Sequence, residues 1–379
     1  MKKPRLFTPG PVEVAPQVLE AMARPLMHHR TAAFQELFLG VRSKLAAVSC
    51  VPDDDVLVLA ASGTAAFEAG LLACVPAASK VIAVTGGKFG ERWLEMARRY
   101  RYQVVELPVS WGEVAEPDRL SQLLAAHPDA LAVLITHSET STGVLHDVEH
   151  LARVVHQQNS EALVLVDGVT SLAVTELHPR EWGLDAVFSG SQKGLMTPPG
   201  LSFAWLSERA WARGEARNPS FYLDLHRERE RQRLGQTAFT PAVSLLRALE
   251  VALSMLLEEG LENVWRRRRR NNLAVLAAGE ALGFQRFAAR PTPAVAALCS
   301  PAGIAAPAVV EGFARRGDRI AGGQDHTHSY LIRPSVVGYA DSYDALIVAA
   351  LLEDVLRDLG REVPMALGVA AAMEVLQST

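Results

Sequence analysis

The chain has 379 residues, 49% apolar and 21% charged, which is enough for two domains around a large buried core. With 38 Lys and Arg against 42 Asp and Glu it carries a formal −4, so there is no electrostatic case for a nucleic-acid or anionic-membrane partner. Cys50, Cys74 and Cys299 lie without CxxC spacing and predict reduced thiols in a cytoplasmic protein, and no apolar run approaches the ~18 residues of a membrane span.

In chain order, the opening "TPGPVEVAP" is rich in Pro and Gly and predicts an extended arm over residues 1–15, with a helical pattern beginning near Pro16. Apolar runs then alternate with helical patterns. The runs are "VLVLA" (56–60), "KVIAV" (80–84), "QVVEL" (103–107), "ALAVLI" (130–135), "ALVLVD" (162–167), "AVFSG" (186–190) and "LSFAWL" (201–206). Helices are expected from about Thr64 and from about Gly90, near Pro117 to Ala126, and over Val148 to Gln158. Short, fully apolar, β-branched strands between helices indicate an α/β fold with a mainly parallel central sheet buried on both faces. The stretch "TPAVSLLRALEVALSMLLEEGLENVWRRRRR" keeps helical periodicity for longer than an ordinary globular helix and leads into a segment with fewer strands, at roughly 294–299 and 329–333. A large domain over 16–262 and a smaller α+β domain over 263–379 are expected. The run Arg266 to Arg270 reads as a solvated helix face.

Ligands of such sheets sit at the carboxyl ends of the strands, and four strand ends here carry unusual residues. Lys193 follows "AVFSG" between Gln192 and Gly194 and is closed off by Pro198 and Pro199. Asp167 ends an apolar strand, where a carboxylate needs a cation or several donors; taken alone it also reads as a helix N-cap. Ser62, Gly63 and Thr64 enter a helix with backbone N–H groups and two hydroxyls, either a phosphate seat or an ordinary capped turn. "THSETSTG" (136–143) brings hydroxyls and His137; no second ligand stands at metal-site spacing from His137, and His326 and His328 look equally unlike a metal site. A lysine that can form a Schiff base with an aldehyde, an aspartate that can keep a pyridine nitrogen protonated and a phosphate seat are together the parts of a site for pyridoxal 5'-phosphate.

Almost the whole chain resembles the class V aminotransferases of fold-type I, especially the alanine/serine–glyoxylate branch, through "TPGPVEV", "LVLAASGTAAFEAG", "GGKFGERW", "THSETSTGVL", "LVLVDGVTSL", "SGSQKGLMTPPGLSF", "TAFTPAVSLL" and "LIRPSVVG". The resemblance implies that Lys193 is the cofactor lysine and proton-transfer base, and that Asp167 partners the pyridine nitrogen. It places Thr140 at the phenolic oxygen, Phe89 stacked on the ring, and Ser62, Gly63, Thr64 and Gln192 around the phosphate. It further implies that Thr237 and Thr240 reach the phosphate of the neighbouring subunit in a homodimer with shared sites. Arg333 would clamp a substrate carboxylate, with the arm at Thr8 to Pro11, including Gly10, closing over it. The implied reaction moves an amino group from alanine or serine to glyoxylate or pyruvate. The alternatives are a 2-aminoethylphosphonate–pyruvate aminotransferase and, less in keeping with Cys299 in a buried strand, a lyase or desulfurase. Pro334 directly after Arg333 predicts an edge strand there.

Overall fold

The computed structural model describes residues 4–52, 56–213 and 219–378. The arm contributes β1 (Arg5–Phe7) and is followed by α1 (Pro16–Met22) and α2 (Ala32–Val48). Then come β2 (Val56–Leu59), α3 (Gly63–Cys74), β3 (Lys80–Thr85), α4 (Lys88–Arg99), β4 (Gln103–Pro108), α5 (Pro117–Ala126) and β5 (Ala130–Thr136). A short hairpin, β6 (Ser138–Glu139) and β7 (Val144–Leu145), precedes α6 (Val148–Gln158), β8 (Leu163–Asp167), β9 (Ala186–Gly190) and β10 (Ser202–Leu206). Helices α7 (Glu208–Arg213), α8 (Leu225–Gln232), α9 (Val243–Glu259) and α10 (Leu261–Ala281) lead to β11 (Gln285–Arg286), β12 (Leu298–Cys299), α11 (Ala306–Arg316), β13 (Asp318–Gly322) and β14 (Leu331–Arg333). Two helices close the chain, α12 (Ser342–Asp358) and α13 (Leu367–Gln377).

Seven strands form the main sheet in the order β2-β10-β9-β8-β5-β3-β4. Each pair is parallel except those of β10, which runs antiparallel to both β2 and β9. Alternation along the strands feeds both faces: Ile82, Val84, Val164 and Val166 pack into one apolar cluster, and Val81, Ala83, Leu163 and Leu165 into another. Burial on both sides is why these strands read as unbroken apolar runs. Ser202 pairs with Leu59 on one side and Gly190 on the other, and Thr136 pairs with Asp167. The carboxyl ends of β2, β5, β8 and β9 therefore lie along one edge of the sheet.

The second sheet has the order β1-β13-β14-β12-β11, with Phe7, Leu298, Ile320 and Ile332 in a third apolar cluster. The arm is thus a strand of this sheet, Arg5 to Phe7 running parallel to Asp318 to Ile320. Three expectations are corrected. The long helical stretch is two helices, because Gly260 takes φ +81° between α9 and α10. Strand β14 is interior, paired with β12 and β13; Pro334 stands just past its last residue, where its missing N–H costs no ladder bond and its carbonyl accepts from Ala296. The arginine run is not wholly solvated: Arg268 is fully buried and donates to the carbonyls of Ala173 and Gly194, the latter at 2.8 Å. No described helix is long and apolar enough to cross a membrane.

Candidate active site

Lys193 projects from a loop that Ser191 folds back on itself. The Ser191 hydroxyl donates to the Pro198 carbonyl at 2.7 Å, and its backbone N–H donates to Leu201, the residue that leads into β10. Prolines 198 and 199 stiffen the return, so the loop holds the lysine stem at the sheet edge. Its Nζ donates to the Pro9 carbonyl at 2.7 Å. Gly10 has φ +138°, and a Cβ there would overlap the end of the Lys193 side chain, so the arm can close on the amine only with glycine at this position. Loss of water pulls the Lys193 pKa down to about 8; Asp167 opposes that shift, and Arg333 and Arg92 add to it.

Asp167 is buried, and its Oδ1 accepts the Val169 N–H at 2.8 Å. The residues after it form turns and no helix, so the N-cap reading is set aside. Burial raises its pKa to about 7; the Val169 N–H works against this, Glu139 adds to it, and Arg92 and Lys193 oppose it. A buried carboxyl with a single N–H donor is stabilised as an anion only by a further cation or donor.

The guanidinium of Arg333 is fixed by two backbone acceptors, Nε to Gly322 at 2.8 Å and Nη1 to Thr140 at 2.6 Å. Burial lowers its pKa to about 10, with Glu139 opposing, and it stays charged near neutrality. Thr140 is buried in the β6–β7 connection. Phe89 lies in the first turn of α4, and the Arg92 guanidinium stands 4.9 Å from its ring centroid.

At the opening of α3, Ser62 is the N-cap but its side chain makes no cap bond, leaving the hydroxyl and first-turn N–H groups to another acceptor. Gly63 and Gly190 stand so close that a Cβ on Gly190 would sit 3.6 Å from Gly63 and 3.0 Å from Oε1 of Gln192. That Gln192 oxygen is enclosed without a hydrogen-bond partner. The structure thus brings Lys193, Asp167, Arg333, Thr140, Gly10, Phe89, Ser62, Gly63, Thr64 and Gln192 to one edge. Thr237 and Thr240 line a neighbouring pocket with Leu59, Ala60 and Tyr222, and the Thr237 hydroxyl donates to the Phe239 carbonyl.

Two residues of the site escape the sequence reading. Glu139 is buried, its Oε2 accepting the N–H groups of Phe89 and Gly90 and its Oε1 those of the Ser141 N–H and hydroxyl. It caps α4 from the β6–β7 hairpin and so sets the height of Phe89. Arg92 joins Phe89 to Thr64, donating to the Thr64 hydroxyl oxygen at 3.0 Å. For Glu139 the available signal was a lone carboxylate among hydroxyls after a buried strand; for Arg92 it was the i, i+3 spacing from Phe89 on one helix face.

The family model for aminotransferase class-V matches residues 7–300. The chain belongs to the class V aminotransferases. A class V aminotransferase is a transaminase, and relatives align along its full length. One is the "Soluble hydrogenase, small subunit" of Synechococcus sp., 38% identical over 99% of each chain. Another is a serine–glyoxylate aminotransferase of Methylorubrum extorquens, 30% identical over 98% of this chain and 96% of that one. Among solved structures, an aspartate aminotransferase of subgroup IV from Thermus thermophilus is 40% identical, with TM-score 0.88 over 93% of this chain and 99% of that one. The hydrogenase name belongs to that relative; the family model is the aminotransferase one.

Proposed function

We propose that this class V aminotransferase binds pyridoxal phosphate at the Lys193 edge and moves an amino group from a small amino acid, alanine or serine, to glyoxylate or pyruvate. The observation that carries the reading is the convergence of a lysine amine held near pKa 8, a buried aspartate with one N–H donor and a rigid buried arginine. The residues present fit the cofactor on two counts. The Ser62 hydroxyl and the first turn of α3 are left without a side-chain cap bond, and Asp167 is buried with a single N–H donor and forms no ion pair among the described residues. When bound, the cofactor supplies an electron sink that acidifies the substrate α-carbon.

The chain's own residues do the rest. Lys193 is the amine that would hold the cofactor aldehyde, and its depressed pKa suits it to take up and return a proton at the substrate α-carbon near neutral pH. Asp167 would hold the pyridine nitrogen protonated, and its buried carboxylate would gain a second donor by doing so. Arg333 presents its planar fork to the substrate carboxylate while two carbonyls fix its orientation. Ser62, Gly63, Thr64 and Gln192 would hold the phosphate, Phe89 would stack on the ring, and Thr140 would meet the phenolic oxygen. The Gly10 arm excludes water above Lys193. Thr237 and Thr240 serve the site of a second copy, which makes the working unit a homodimer. The exposed Phe221, Tyr222 and Leu234, at 75%, 49% and 62%, surround that segment and favour a covering partner.

A desulfurase reading is disfavoured because burial raises the Cys299 thiol and β12 holds it in the second sheet. The deciding experiment is a donor–acceptor panel with purified protein, with alanine, serine, aspartate and 2-aminoethylphosphonate against glyoxylate and pyruvate, and Lys193→Ala as control. Alanine or serine with glyoxylate should give the highest kcat/KM and Lys193→Ala none. A clear preference for the phosphonate, or turnover in the control, overturns the assignment.

A further inference from the structure

The phosphate seat proposed above contains no charge of its own. Ser62, Gly63, Thr64 and Gln192 are neutral, and a bound phosphate is a dianion near pH 7. A helix N-terminus offers partial charge and N–H groups, and formal compensation normally comes from a cation nearby. Arg92 is the residue in position to supply it. It lies on α4, one turn beyond Phe89, and its Nη1 is 3.0 Å from the Thr64 hydroxyl oxygen.

The direction of that hydrogen bond carries the argument. A guanidinium has five donors and no acceptor, so Thr64 must accept. A threonine hydroxyl has one proton, and with its oxygen engaged by Arg92 that proton is turned to some other acceptor. Thr64 stands in the first turn of α3, beside the Ser62 hydroxyl that caps nothing. Hydroxyls and first-turn N–H groups backed by a guanidinium suit an anion, which the Gln192 amide would meet through its NH2 group. The same guanidinium also covers the Phe89 ring, so one side chain fixes both the ring-stacking and anion-binding ends of the site.

We propose that Arg92 is a positioning residue for the cofactor phosphate: by donating to Thr64 it commits the Thr64 O–H to the phosphate and supplies the cationic backing of the seat. The proposal rests on the pyridoxal phosphate reading. Arg92 also acts electrostatically on both Asp167 and Lys193, lowering each pKa, which places its charge within range of the reacting atoms.

The test is the affinity of the apoprotein for pyridoxal phosphate relative to pyridoxal, which lacks the phosphate, measured by absorbance and by quenching of tryptophan fluorescence. In Arg92→Met the ratio of the two affinities should fall on the order of ten- to a hundred-fold, the worth of a charge-assisted hydrogen bond. Thr64→Val should lower the ratio as well, Thr64→Ser should keep it, and the double variant Arg92→Met, Thr64→Val should be little worse than Arg92→Met alone. Arg92→Lys should restore part of the loss. Equal losses for pyridoxal and pyridoxal phosphate in Arg92→Met, or strictly additive effects of the two substitutions, overturn the proposal. Should Arg92→Met fail to fold, Thr64→Val and Arg92→Lys decide it, since an unchanged ratio in both refutes the linkage. A wild-type apoprotein that binds neither compound instead refutes the cofactor reading beneath it.

Discussion

Replacing Asp167 by Asn removes a charge and keeps the oxygen that accepts the Val169 N–H, so it isolates the cost of burying a carboxylate. Burial, aided by Glu139, raises the folded pKa from 3.8 to about 7. A folded-state pKa above the unfolded value means that the native protein binds the extra proton between these limits. The stability it brings is full below pH 3.8 and is lost as pH rises through about 7. Each pKa unit is worth about 1.4 kcal/mol, so from pH 5 to pH 7 the wild-type apoprotein should lose about 2 kcal/mol relative to Asp167→Asn. The window ends at pH 7 because Lys193, with its pKa near 8, is still mostly charged there. Urea unfolding of both apoproteins at pH 5, 6 and 7 measures the difference directly. Added pyridoxal phosphate should reverse it, since a protonated ring nitrogen gives the wild-type carboxylate its missing partner, and Asp167→Asn should lose most of its turnover. Parallel stability curves for the two apoproteins would refute the perturbed carboxyl. Near wild-type turnover in Asp167→Asn would remove its electronic role.

Arg333→Ala should cost ~2–5 kcal/mol in transition-state binding, about 30- to several-thousand-fold in kcat/KM, with Arg333→Lys recovering only part because an ammonium lacks the planar fork; steady-state kinetics with alanine and glyoxylate check this. Light scattering should find a dimer, and Thr237→Ala with Thr240→Ala should weaken cofactor retention; a monomer that holds pyridoxal phosphate tightly would refute the shared site.

Residues whose significance lies in local pattern were legible in the sequence. Asp167 stands out because it ends an apolar run that reads as a buried strand, where a charge is costly, and Lys193 because it follows such a run by three residues and is closed off by two prolines. Glu139, Arg92 and Arg268 were not, because what defines each is a partner far along the chain: Phe89 for Glu139, Thr64 for Arg92, Ala173 for Arg268. The break at Gly260 hides inside helical periodicity, since one glycine is tolerated there as readily as it ends a helix. Strand β13 carries Asp318 and Arg319 and lacks the apolar signature of the main sheet, although its Ile320 joins the third cluster. The Pro334 inference failed by a single residue: the proline falls after the last ladder pair of β14, not within it.

Arg268 ties three parts of the molecule with one side chain. It belongs to α10, and its guanidinium holds Ala173, in the turns after Asp167, and Gly194, the residue after Lys193. Gly194 has no room for a side chain, a Cβ there meeting Leu172 and Arg268 itself. The two loops are therefore pinned to a common axle. The segments that carry Asp167 and Lys193 thus share one anchor on α10, so whatever disturbs that anchor reaches both of them together.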